Sequence, residues 1–216
     1  GDEVSLKGLR PGQPENFYVD LLHPEVAAAY RNAVSTAQQL GAEIVPVQVP
    51  DMDEYNTVAR VVLLAEASAA MTPFLERREL FGKDVLALLD QGRFITATEY
   101  LNAQRLRRLM RQEFGAIFRK VDCLLTPTVP MPAPKIGETS IPLGDGMQDT
   151  RLAATRMVRA INLLGLPALA MPCGFSETGL PLSLQIIGRA FEEPLIFRVG
   201  AALEDAGIHP QRDPAL

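Results

Sequence analysis

Apolar residues recur along this chain at two periods, one near 3.6 and one near 2, and the two alternate. Pro24 and Glu25 suit the first turn of a helix that runs to residue 40, where Gly41 stops it. Residues 42–49 read as a strand because Ile44, Val45, Val47 and Val49 are β-branched. Asp51 or Asp53 can cap a long helical stretch reaching residue 80, which Pro73 should break or kink. Residues 83–91 predict a short helix closed by Gly92. Thr96 with Glu99 forms a capping box for the next helix, ending near residue 120. Its apolar stripe is Leu106, Met110, Phe114 and Ile117; Arg107, Arg108 and Arg111 fall off the stripe and predict a solvated face.

The second half repeats the alternation. Residues 121–126 predict a short buried strand, and residues 127–148 a long connection rich in proline and glycine. Residues 151–164 are helical, residues 168–173 and 182–187 are strands, and residues 192–206 form a last helix ended by Gly207. Ser176 to Gly179 supplies turn chemistry between the two strands, which predicts a hairpin. Residues 8–13 offer one more strand, although Pro11 would remove a ladder donor there. The expected class is α/β, with a mixed sheet flanked by helices in one domain over residues 1–216.

Composition narrows the classes. With 47% hydrophobic and 22% charged residues, the chain is of ordinary globular make-up. A net charge of −5 argues against a nucleic-acid partner. Cys123 and Cys173 each sit in a short apolar run, as thiols in a reducing cytoplasm would. The two histidines, His23 and His209, stand beside prolines and at no metal-ligand spacing from the cysteines, so no metal or organic cofactor is expected. There is no basic segment leading into an apolar run, and the apolar stretch 61–71 is short and interrupted by Glu66. A soluble, cytoplasmic protein without membrane contact is the expectation. Gly1 in place of methionine points to a processed, cut or tagged chain.

Two stretches go beyond class. One runs Val121-Asp122-Cys123-Leu124-Leu125-Thr126-Pro127-Thr128-Val129-Pro130-Met131-Pro132-Ala133-Pro134. The other runs Asn162-Leu163-Leu164-Gly165-Leu166-Pro167-Ala168, then Met171-Pro172-Cys173-Gly174-Phe175, and ends in Gly179-Leu180-Pro181-Leu182-Ser183-Leu184-Gln185-Ile186-Ile187-Gly188-Arg189. In order and spacing they resemble the C-terminal half of amidase-signature enzymes. Ser183 stands where that family usually has glycine, and Pro11 interrupts an expected strand.

The resemblance implies amide hydrolysis by a serine nucleophile, with a second serine in a cis peptide and a lysine as base relay. A serine hydroxyl needs such activation because it is a weak nucleophile at its free pKa. Those parts belong to a Gly/Ser-rich stretch upstream, and no Ser-Ser-Gly or Gly-x-Ser-x-Gly occurs here. No catalytic residue is therefore expected in this chain; Lys83, in Gly82-Lys83-Asp84, opens a helical pattern and not a buried strand. What this half implies instead is a wall of the substrate pocket on the helix before Asn162, with Thr155, Met157, Val158, Ile161 and Asn162 as lining residues. Plain core packing explains the same stripe. The family's glutamyl-tRNA amidotransferases hold glutamine with an arginine and an aspartate; those positions fall near residues 87–88 and near Thr155, which points to a less polar amide. The expected partners are the N-terminal half of the same protein, a small-molecule amide and possible further copies of the chain. A stand-alone α/β module that binds without chemistry is the alternative, and a hydrolase using Cys173 a distant third.

Overall fold

The computed structural model describes residues 5–208, so His209 lies outside the described residues. Five strands form one mixed sheet in the order β2 (Val45–Val47), β1 (Pro11–Pro14), β3 (Cys123–Pro127), β7 (Pro181–Ile187), β6 (Ala168–Phe175). β1 pairs in parallel with β2 and β3, whereas β7 runs antiparallel to both β3 and β6. β6 and β7 form the hairpin that the turn residues predict. α1 (Pro24–Gln39), α2 (Met52–Met71), α3 (Lys83–Gly92), α4 (Ala97–Gly115), α5 (Thr150–Leu164) and α6 (Glu193–Asp205) cover it.

The period of two sorts β3 between two cores. Leu124, with Ile187, packs under Tyr55 and Val62 of α2, Met110 and Phe114 of α4, and Met157, Ile161 and Leu164 of α5. Cys123 and Leu125, with Leu184 and Ile186, meet Tyr30, Ala33 and Val34 of α1 and Ile196, Val199 and Leu203 of α6. All five residues of β3 are buried, as a central strand covered on both faces requires. Each such aliphatic side chain contributes about 1.5–3 kcal/mol by burial.

β6 differs. Leu169, Met171 and Cys173 turn toward the α1 and α6 core, while Ala168, Ala170 and Pro172 are exposed on the other face. It is also a sheet edge.

The corrections are local. β1 forms despite Pro11, because that proline opens the strand, where one missing donor costs little. Arg10 N donates to Asp122 Oδ2 at 2.7 Å and Asp122 N to Arg10 O at 2.9 Å, which continues the ladder past it. Residues 127–148 are not all loop: β4 (Ser140–Leu143) and β5 (Gly146–Asp149) form a hairpin whose turn is Gly144 and Asp145. On α4 the buried line starts one turn early, at Ala103, and continues through Met110 and Phe114 to Ile117 beyond the helix; Leu106 is exposed. Asp51 caps α2, and α2 gives way at Thr72 to a 3-10 stretch, Thr72–Leu80, around Pro73. Met52–Leu80 is, among the described residues, the one helical stretch long and apolar enough to cross a membrane by length and composition alone.

Candidate functional site

α5 starts on Asp149, whose carboxylate accepts from Leu152 N at 2.8 Å. It ends on Gly165, whose φ of +66° is the left-handed cap that glycine adopts without strain. Between these stops, 3.6 residues per turn divides its side chains cleanly. Ala153, Met157, Ala160, Ile161 and Leu164 face the core. Thr155, Val158, Arg159 and Asn162 share the opposite, open face.

The five residues expected to line a pocket therefore part company. Met157 is 0% and Ile161 2% exposed, both inside the core beneath α2 and α4. Neither has a surface left to offer a ligand. Thr155 and Val158 are half-buried; the Thr155 hydroxyl bonds the Arg151 carbonyl at 2.9 Å. Asn162 is exposed and does not fill the buried helix-end role that an amide there could take. Gln185, buried on β7, makes a supporting bond of its own between strands: its Nε2 donates to Thr126 Oγ1 at 3.1 Å.

Asn162 opens onto a cleft of about 240 Å³ between α2, α4 and α5. Ala59, Val62 and Leu63 of α2 form an apolar side, and Glu66, Arg107 and Arg159 bring charge. A linked set of hydrogen bonds fixes one end. Tyr100 Oη donates to Glu66 Oε1 at 2.8 Å, and Gln104 Nε2 donates to Tyr100 Oη at 2.9 Å. Gln104 Oε1 accepts from Arg107 Nη1 at 3.4 Å, and Arg107 Nε donates to the Leu163 carbonyl. Arg107 is thus half-buried and committed, not part of a solvated face; being off the helix's apolar stripe, it turns toward α5 instead.

Arg159 stands at the other end. Its Nε and Nη2 donate to Thr155 O and Leu152 O at 3.2 and 2.8 Å. Partial burial, together with Arg60 and Arg156 nearby, draws its pKa below the usual arginine range, against the opposing pull of Asp53. Glu66, Arg107 and Arg159 escape sequence reasoning because each sits singly on a different helix. Only the packing of α2, α4 and α5 brings them together.

The remaining chemistry is spare. Burial pushes the Cys123 and Cys173 thiols up to about 12, Cys123 further aided by Asp122, so neither is a thiolate near neutrality. Lys83 lies exposed at the start of α3. Among the described residues no serine hydroxyl bonds a lysine or histidine side chain: Ser5 Oγ meets Leu40 O and the backbone N of Lys7, and Ser176 Oγ meets Thr178 and Leu180 N. No group of three His, Cys, Asp or Glu side chains among them could hold a metal ion.

Known proteins share this architecture. An amidase of Pseudomonas putida is 40% identical over 98% of this chain, which covers 46% of that enzyme. One component of the glutamyl-tRNA(Gln) amidotransferase of Myxococcus xanthus (strain DK1622) is 33% identical over 94% of the chain and 46% of its own length. The crystal structure of an amidase superimposes with a TM-score of 0.85 at 29% identity, over 93% of this chain and 46% of that one. A protein from a vestigial complex tied to the evolutionary origins of an s-triazine catabolic enzyme gives a TM-score of 0.87 at 28% identity, covering 98% and 46%. The chain thus spans about half the length of the curated relatives it matches. The amidase family profile matches residues 2–197, and with the mixed sheet, the strand order and the open face of α5 already in place, that match means the chain belongs to the amidase family.

Proposed function

We propose that this chain is the C-terminal part of an amide-bond hydrolase. Its role is to supply one wall of the substrate pocket along Thr155, Val158 and Asn162. The serine pair and lysine lie in an N-terminal part outside this chain. The observation that carries the reading is the open face of α5, which borders a charged cleft although no described residue could serve as an activated nucleophile. The uncovered side of β6 supports it: Ala168, Ala170 and Pro172 present a flat apolar strip on a sheet edge, which suits a second set of strands and helices. In that assembly the pocket closes between the two parts, and water leaves a site that this chain alone holds open.

The test is complementation. The chain and the N-terminal part are produced separately, then assayed singly and mixed against aryl and aliphatic amides. Turnover only in the mixture, with a tight complex by sedimentation, is the expected result. Turnover by this chain alone would overturn the assignment of the nucleophile. A tight complex that hydrolyses nothing would favour a binding module without chemistry.

A further inference from the structure

We infer that the cleft between α2, α4 and α5 is a carboxylate subsite, with Arg159 as its cation, so that the substrate is an amide bearing an acidic group. The kinetic side of this inference rests on the amidase reading above; the binding side does not.

Arg159 is a half-buried guanidinium whose bonds all go to carbonyls of its own helix, Thr155 O and Leu152 O. Among the described residues no carboxylate lies within salt-bridge distance of it. A cation in such a place normally has an acid to meet. Its neighbours add to the excess. Arg156 is engaged by Phe17 O at 3.0 Å and by the Phe17 ring at 3.9 Å, and Arg60 by Gln91 Oε1 at 3.1 Å. Asp53, the acid that offsets this excess, is 3.8 Å from Arg156 with a side chain 71% exposed, so solvent weakens it. Crowding among Arg60, Arg156 and Arg159 depresses the Arg159 pKa after burial has done so, and an incoming anion would relieve both effects.

The cleft itself carries Arg107, Arg159 and Glu66, a net charge of one positive. Glu66 is held by Tyr100 and Gln104 at 2.8 and 3.3 Å. It repels an anion from the α4 end and leaves the Arg159 end for it. The Arg159 guanidinium reaches back toward Leu152 O, so Asn162, further along the same helix face, lines the other end of the cleft, where its amide can meet the far end of a short ligand. Val62 and Leu63 give the hydrocarbon of a short ligand an apolar side. The volume of about 240 Å³ suits a chain of a few carbons, not an extended acyl group. This departs from the less polar amide that Thr155 alone suggests.

Succinamate is the probe, and 4-oxopentanamide, in which a methyl ketone replaces the carboxylate, is its neutral counterpart. In the first arm the full chain, with ¹⁵N label, is titrated with each while the Arg159 Nε–H and Asn162 side-chain amide signals are followed. Saturable shifts with succinamate, at least tenfold weaker in Arg159→Gln and partly kept in Arg159→Lys, are expected. In the second arm the complemented enzyme is assayed on both amides. Arg159→Gln should lower the ratio of kcat/KM for succinamate over 4-oxopentanamide at least tenfold. An unchanged ratio, or equal shifts with both probes, would overturn the subsite. A mixture that hydrolyses no amide would sink the amidase reading and leave the binding arm to decide this one. If Arg159→Gln does not fold, Arg159→Lys takes its place in both arms, with a smaller change in the same direction.

Discussion

Arg107 and Leu163 stand 56 residues apart, yet the Arg107 guanidinium closes the end of the other's helix by donating Nε to the Leu163 carbonyl. The last carbonyls of a helix have no partner within it, and here α4 supplies one from outside. Arg107→Met keeps the stem and removes the donors. Loss of a charged hydrogen bond of this kind should cost about 1.5–3 kcal/mol in urea unfolding. A cost below about 0.5 kcal/mol would show that water replaces the guanidinium without loss.

Gly92 ends α3 against α2. A Cβ there would lie 2.1 Å from Leu64 O and 2.7 Å from Ser68 Cβ, and backbone cannot yield as a side-chain tip can. Gly92→Ala should therefore destabilise the fold by about 2–3 kcal/mol through overpacking, despite alanine's better helix propensity. A melting temperature unchanged by this substitution would mean that α3 slides freely on α2.

The two faces of α5 should answer differently to substitution. Ile161→Ala opens a cavity in the core and should cost about 2–4 kcal/mol. Val158→Phe adds bulk on the open face, so it should shift the complemented enzyme's ratio between small and large amides with little loss of stability. Equal stability losses at both positions would return Val158 to the core.

Cys123 and Cys173 hold their protons up to about 12 because of burial, against an ordinary thiol value of about 8.5. The native state thus binds more protons than the unfolded chain in the interval between. Stability from this source is complete below about pH 8.5 and declines as pH rises toward 12. A thiol reagent should label neither cysteine in the folded chain at pH 8, and both once urea unfolds it. Cys123→Ala should flatten the alkaline decline. Rapid labelling of folded Cys173 would revive it as a nucleophile.

Much of the fold could be read from residue order because the signals are local. Thr96 and Glu99 make the capping box, Asp51 caps α2, and Pro73 falls in the 3-10 stretch that succeeds it. Gly144 and Asp145 were an equally local hairpin signal inside a segment otherwise dominated by proline. β1 was harder: Pro-Gly-Gln-Pro has no β-branched residue, and its strand conformation comes from lying between β2 and β3. On α5 the period separates Met157 and Ile161 from Thr155, Val158 and Asn162, but only tertiary packing tells which set faces inward. Arg107 and Arg159 were illegible for the same reason. An arginine off an apolar stripe is usually solvated, and nothing near it in sequence announces a neighbouring helix.

The pairing of β1 with β3 sets a timetable for synthesis. Arg10 and Asp122, which bond at the edge of that pairing, are 112 residues apart. At roughly 5–20 residues per second, a ribosome needs about 6–22 s to deliver the second after the first. Through that interval β1 has only the three-residue β2 beside it, and the apolar side of α1 has no β3 to rest on. The nascent chain therefore spends seconds as a helix-rich precursor with an open sheet position, a natural client for holding chaperones. Slower translation between residues 47 and 123 would lengthen that exposure and lower soluble yield, with no change in the finished protein.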